Sequence, residues 1–114
     1  MKYRGSCHCG KVTFEFEDNI ETVVSCNCSI CSRRGSLLHF TSRDAMKVTG
    51  EEELATYTFN KHVIKHRFCR TCGILPFGEG VDPKGNRTAA VNVRCLEDFD
   101  LGTLKIHHYD GKTA

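Results

Sequence analysis

The stretch FCRTCG, residues 68–73, places two cysteines two residues apart and follows them with a glycine. The stretch GSCHCG, residues 5–10, ends in a similar way. Sulfurs this close in sequence can reach one ion at about 2.3 Å each, whereas they rarely meet the geometry of a disulfide. These segments therefore predict a closed structural zinc site with the ligands Cys7, Cys9, Cys69 and Cys72. Buried free thiols, or a different pairing of the clusters, are the alternatives.

A third cluster, CNCSIC at residues 26–31, contains the three cysteines Cys26, Cys28 and Cys31. Three thiolates leave one position of a tetrahedral zinc open, and an open position permits chemistry. The zinc with its three thiolates would carry a net charge of about −1, so the ion would be a weak Lewis acid. It could still bind an external thiol, which loses its proton on coordination. We expect a catalytic site here, with Asn27 donating hydrogen bonds rather than binding the metal.

Two other interpretations of this cluster remain open. The triple could be a second structural site, closed by Cys95, His39 or His66. Cys95 could also be a redox partner of the triple, although a lone cysteine after a strand is more often a small buried apolar residue.

The apolar pattern of the chain is typical of strands. Residues 11–17 alternate, with Phe14 and Phe16 on one side and Glu15 and Glu17 on the other, as in a half-buried strand. Similar patterns predict strands at the N-terminus and at residues 23–25, 36–41, 55–59, 63–68, 88–94 and 104–109. Helical turns are expected only at residues 42–46 and after Cys28. We therefore predict an all-β fold, a zinc-clasped small β-sandwich of short antiparallel strands with little helix, forming one domain over residues 1–114.

Charge and hydropathy limit the possible partners. The net charge is only +2, which gives no reason to expect a nucleic-acid partner. No apolar run is long enough to span a bilayer, and the N-terminus lacks the apolar core of a secretion signal. We expect a cytoplasmic protein with reduced thiols and no membrane partner.

Basic residues adjoin the cysteine clusters, and guanidinium groups suit carboxylates. Arg33, Arg34 and Arg67 are therefore predicted to hold the carboxylates of a small acidic thiol.

Taken together, GSCHCGKV at residues 5–12, CNCSIC at 26–31 and FCRTCG at 68–73 closely resemble the glutathione-dependent formaldehyde-activating enzyme family, which includes centromere protein V-like proteins. VNVRCL at residues 91–96 and YDG at 109–111 fit the same family. The chain differs from the best-known members in having Asn27 where they tend to have histidine. The resemblance covers essentially the whole chain.

The resemblance implies a β-tent fold with two zinc ions. It carries Cys7, Cys9, Cys69 and Cys72 onto the structural ion, and Cys26, Cys28 and Cys31 onto the catalytic ion. The implied activity is condensation of glutathione with formaldehyde to S-(hydroxymethyl)glutathione, classed as a carbon–sulfur lyase reaction.

Two hypotheses for function follow. The first is an enzyme that activates glutathione or a similar small thiol for addition to, or release from, formaldehyde or another small aldehyde. A homodimer is one form that this enzyme could take. The second is a non-catalytic zinc module that binds another protein, for example through an exposed strand edge.

Overall fold

The computed structural model describes residues 1–113, which form two sheets and one α-helix. The small sheet has the order β1-β2-β5. Its strands are β1 (Lys2–Ser6), β2 (Thr13–Glu17) and β5 (Lys47–Thr49). The large sheet has the order β10-β3-β4-β9-β8-β7-β6. Its strands are β3 (Thr22–Cys26), β4 (Leu38–Ser42), β6 (Leu54–Tyr57), β7 (Lys65–Cys69), β8 (Phe77–Val81), β9 (Arg87–Asn92) and β10 (Lys105–Tyr109), and the helix α1 (Ser29–Arg34) follows β3.

The core lies between one face of each sheet. Phe14 and Phe16 of β2 are buried, as their alternation predicts, and Phe77 and Val91 of the large sheet are fully buried. The rings of Phe14 and Phe77 meet edge to face, with centroids 6.1 Å apart, a favoured aromatic geometry. We call the face of the large sheet that carries Phe77 the inner face, and the opposite face the outer face.

The fold class predicted from the sequence is confirmed: the protein is mostly β with antiparallel pairing and one short helix. One pairing departs from it, because β10 runs parallel to β3. The turn expected at residues 42–46 is a short 3-10 turn at Arg43–Ala45, and the one expected after Cys28 is α1. Within residues 1–113, no helix has the length and hydrophobicity needed to cross a lipid bilayer.

The strands β5 and β8 were not predicted. The strand β5 has only three residues, too few to show a period. The strand β8 reads FGEGV, and its two glycines leave the outer face without side chains, so the alternation that marks a strand is missing. Both segments become strands because they pair with neighbouring strands, not because their own residues favour the extended conformation.

A charged cluster crosses the inner face. The Arg43 Nε donates to Glu79 Oε1 at 2.9 Å, and its guanidinium also pairs with Glu51. The guanidinium of Arg43 lies 5.3 Å from the centroid of the Phe77 ring. Burial raises the pKa of Glu79, but the hydrogen bond from Arg43 and the charge of Arg67 lower it by more, so the pKa falls below its usual range. The glutamate is therefore ionised, and Glu79 and Glu51 together balance the charges of Arg43 and Arg67.

Replacing Glu79 by glutamine should destabilise the fold by about 3 kcal/mol at neutral pH, because it leaves buried guanidinium charge uncompensated. A lowered folded-state pKa contributes stability above the unfolded pKa and loses it as pH falls. The difference between wild type and Glu79→Gln should therefore shrink below about pH 4. Urea unfolding at several pH values measures it, with Glu52→Gln, on an exposed side chain, as the control. An effect of Glu79→Gln no larger than that of the control would contradict the role of the cluster.

Candidate metal centres

Four cysteines meet where β1 and β7 end. Cys7 follows β1, Cys69 ends β7, and Cys9 and Cys72 lie in the turns after them. The four Sγ atoms lie within 4.8 Å of one another, and those of Cys7 and Cys69 are each 3.6 Å from that of Cys9. A tetrahedral zinc with bonds of about 2.3 Å would place sulfurs about 3.8 Å apart. The set fits a metal ion, and its four-sulfur chemistry is consistent with zinc.

The backbone around this first cluster favours thiolates. The Val12 N–H points to Cys7 Sγ at 3.4 Å, and the Gly73 N–H closes the turn by donating to the Cys69 carbonyl at 2.8 Å. Burial raises the pKa of the Cys72 thiol, but the backbone N–H groups of Ile74 and Cys9 lower it by more, to about 6. Gly73 has φ +80°, a conformation that glycine adopts without strain.

The second cluster is built by the junction of β3 and α1. Cys26 ends β3, Cys28 precedes the first residue of α1, and Cys31 lies in the helix. Their Sγ atoms lie within 4.8 Å of one another, and among residues 1–113 no fourth His, Cys, Asp or Glu joins the group. Burial and the neighbouring sulfurs raise the pKa of Cys31 to about 12. A cation is therefore needed before all three can be thiolates, and the set fits a metal with one position open.

Two of the side chains considered as a fourth ligand are held elsewhere. His39 Nε2 lies 2.8 Å from Asp18 Oδ2, and the His39 ring stacks on Phe16 at the inner face. The Cys95 thiol donates a weak hydrogen bond to the Leu75 carbonyl at 3.8 Å. Burial and the charges of Cys7 and Cys72 raise the pKa of Cys95 to about 11, which places this thiol beside the first cluster. The structure thus brings neither His39 nor Cys95 to the triple.

Residues 109–112, called the chain end below, are hydrogen-bonded to Asn27 beside the triple. The backbone N–H of Asn27 donates to the Tyr109 carbonyl at 3.2 Å. The side-chain amide of Asn27 donates to Asp110 Oδ1 and accepts from the Lys112 N–H, both at 2.9 Å. As expected from the sequence, Asn27 makes hydrogen bonds beside the ligands. Its partners lie some eighty positions along the chain, so no local pattern could have identified them.

Gly111 completes this closure. A Cβ added at Gly111 would lie 2.6 Å from Cys26 Sγ and 3.2 Å from Cys28 Cβ. Only a residue without a side chain can therefore follow Asp110 at this distance from the triple.

The triple opens on an apolar cavity of about 250 Å³, enclosed between α1 and the outer face of the large sheet. Besides the cysteines, the ionisable side chains in its wall are Arg34, His66 and, at the mouth, Tyr109. Burial lowers the pKa of the Arg34 guanidinium, while the charges of Cys31 and Cys28 act in the opposite direction. Burial and the charge of Arg34 also lower the pKa of His66, which keeps this imidazole neutral near pH 7.

The three arginines predicted to hold carboxylates lie in different places. Arg34 lines the cavity of the triple. Arg33 donates to the Ser29 carbonyl at 2.7 Å and borders a separate cleft beside Tyr57. Arg67 lies on the inner face, where its Nη1 is 3.4 Å from both oxygens of Glu79. Of the three, only Arg34 is positioned beside the open cluster.

Comparison with known proteins relates the whole arrangement of strands to one family and one solved structure. The model of the family described as "Glutathione-dependent formaldehyde-activating enzyme" matches residues 2–110. Among solved structures, the chain is similar to a structural-genomics crystal structure of a Rhodobacter sphaeroides protein. The TM-score is 0.77 at 34% sequence identity, and the match covers 91% of this chain and 99% of that one.

The two clusters should respond differently to loss of one sulfur. Cys69→Ser should unfold or aggregate the protein, because a closed metal site contributes much of the folding free energy of a small domain. Cys28→Ser should lose one metal ion and keep a cooperative melt. Elemental analysis and circular dichroism of the two variants measure this. Equal destabilisation by both would contradict an open second site.

Gly111→Ala should weaken metal binding at the triple about tenfold or more, since the added methyl group collides with Cys26 Sγ and shifts a ligand. The rate of metal release to a chelator measures the effect, and Lys112→Ala, at the next and exposed position, is the matched control. Release from Gly111→Ala at the rate of Lys112→Ala would show that the chain end does not shape the site.

Proposed function

Because the chain belongs to the glutathione-dependent formaldehyde-activating enzyme family, we propose that it is a zinc-dependent enzyme of the carbon–sulfur lyase type. It would activate a small thiol, glutathione or a similar one, for addition to formaldehyde or a related small aldehyde, or catalyse the reverse release. The observation that supports this most directly is the unequal pair of clusters, one with four cysteines and one with three. All three cysteines of the smaller cluster line an apolar cavity that a substrate can enter, whereas only Cys7 of the larger cluster borders a cleft, which is more polar.

Zinc bound by Cys26, Cys28 and Cys31 would supply an open position at which a thiol loses its proton near neutral pH. The residues of the chain do the rest. The junction of β3 and α1 brings the three ligand sulfurs together, and the side chain of Asn27 holds Asp110 and Lys112 beside them. A reducing cytoplasm, the predicted location, would keep these thiols available for metal.

The reaction itself needs no oxidant. The sulfur electron pair forms a bond to the carbonyl carbon, the C=O π bond breaks toward oxygen, and the oxygen takes a proton, so the thiol proton is returned overall. The neutral His66 in the cavity wall can donate a hydrogen bond to that oxygen. Arg34, which adjoins the same sulfurs, favours an anionic thiol and the charge that develops on oxygen.

A non-catalytic interaction module is the second candidate. It is favoured by β10, which forms one edge of the large sheet and has all five of its residues exposed. Such an edge can accept a strand from a partner.

Thiol titration of the cobalt-substituted protein discriminates the two candidates. We expect two ions per chain, with the visible absorption of one changed by glutathione or 2-mercaptoethanol and the other unaffected. With ¹³C-formaldehyde and thiol, the zinc protein should speed adduct formation seen by NMR, and Cys28→Ser should not. Two ions that are equally inert to every thiol would instead support the interaction module.

A further inference from the structure

The pairing register places small residues in the middle of the outer face. His66 of β7 lies opposite Gly78 of β8, Gly78 opposite Ala90 of β9, and Ala90 opposite Phe40 of β4. Residues directly opposite each other project from the same face of a sheet. Large side chains therefore stand at the two ends of this row, at His66 and Phe40. Between them Gly78 has no side chain and Ala90 has only a methyl group, so the centre of the row is a hollow.

Nothing else fills that hollow at its floor. Gly78 is buried, yet a Cβ added there would meet only the Lys65 carbonyl oxygen, at 3.6 Å. Its neighbour Phe77 points to the inner face and is fully buried. The inner face of β8 is thus close-packed while its outer face is left empty, so the cavity belongs to the fold rather than to a loop.

The walls of the hollow are apolar. Helix α1 contributes Ile30 above it, the sheet contributes Val24 and Leu38 at the sides, and Leu75 comes from the segment between β7 and β8. At roughly 30 Å³ for each non-hydrogen atom, estimated from the volume of liquid water, 250 Å³ holds about eight such atoms. This is the size of a benzyl or short alkyl group.

The mouth is apolar as well. Phe40, Ile64 and Tyr109 border the cavity and are 56%, 54% and 49% exposed. Exposed apolar residues that rim a pocket mark a place where an apolar surface binds.

Arg34 is the one cationic group in the wall at neutral pH. It is half-buried, and within residues 1–113 its guanidinium has no hydrogen-bonding or ion-pairing partner, in contrast to Arg43 and Arg67. One guanidinium can balance one anion. Glutathione has two carboxylates and an ammonium group, and at most its cysteine portion would fit a space of about eight atoms; desolvating unpaired charges there would oppose binding.

We propose that this cavity selects the thiol. Resting on the function proposed above, the inference is that the preferred substrate is a thiol whose carbon chain is apolar, an aryl or alkyl group of about eight non-hydrogen atoms. The sulfur would meet the triple, the hydrocarbon would occupy the hollow over Gly78 and Ala90, and any single acidic group would lie at Arg34. This proposal concerns the thiol alone and sets no limit on the size of the aldehyde.

The first test is isothermal titration of the zinc-loaded chain, residues 1–114, with benzyl mercaptan, 2-mercaptoethanol and glutathione. Burial of the ring should make benzyl mercaptan bind about tenfold or more tightly than the other two. Gly78→Val should remove that preference by filling the floor. Gly80→Val lies on the same strand and face outside the cavity, where a Cβ meets only the flexible Thr88 side chain at 3.4 Å, and should keep it.

A second variant and a second measurement keep the test decisive. If Gly78→Val does not fold, Ala90→Val narrows the same floor from the next strand. Benzyl alcohol, which has no sulfur, should shift the methyl NMR signals of Leu38 and Ile64 in the wild type but not those of Val81. Gly78→Val should abolish these shifts.

The outcomes separate the two proposals. Equal affinity for the three thiols, or a preference that survives in Gly78→Val, would overturn the cavity assignment while leaving thiol activation in place. Benzyl alcohol shifts without any thiol effect on the cobalt spectrum would support the cavity and contradict the proposed function. Sedimentation showing a stable dimer, together with no binding of either probe, would overturn the cavity assignment.

Discussion

The four sulfurs of Cys7, Cys9, Cys69 and Cys72 join the end of β1 to the end of β7, and so join the two sheets. A chain of this size has a modest core, here centred on Phe14 and Phe77. A metal ion bound at this junction would fix how the inner faces of the two sheets meet. The packing of the core between the sheets depends on that junction.

The two faces of β8 have different roles: the inner face packs in the core, and the outer face borders the cavity of the triple. On the inner face, Phe77 packs against Phe14, and Glu79 pairs with both Arg43 and Arg67. On the outer face, Gly78 has no side chain, and the space is left open beside the triple. Because side chains alternate along a strand, a five-residue strand can stabilise the core and form the floor of a cavity at once.

Local features of the chain could be predicted from the sequence. Cysteine spacing divided seven thiols into a closed set and an open set, and the structure assembles the same two groups. Alternation located β2, β9 and the other strands with a clear period. Such signals succeed because the groups concerned are neighbours in sequence.

Features that depend on register could not be predicted. Arg34 and Arg67 look alike in sequence, yet the pairing of Arg67 with Phe77 turns it to the inner face, while α1 leaves Arg34 at the cavity. The bonds from Asn27 to the chain end and the empty space over Gly78 arise only when distant segments meet. Gly78, which leaves the floor of the cavity open, is together with Gly80 also the reason that β8 was missed.

The central claim is that one ion is enclosed by four protein sulfurs and the other by three. Anomalous diffraction from crystals of the zinc-loaded protein grown with benzyl mercaptan measures it directly. The account predicts two zinc positions, one with Cys7, Cys9, Cys69 and Cys72 at about 2.3 Å, the other with Cys26, Cys28, Cys31 and the sulfur of the added thiol. A protein side chain such as His66 as the fourth ligand of the second ion, or a single shared metal cluster, would contradict it.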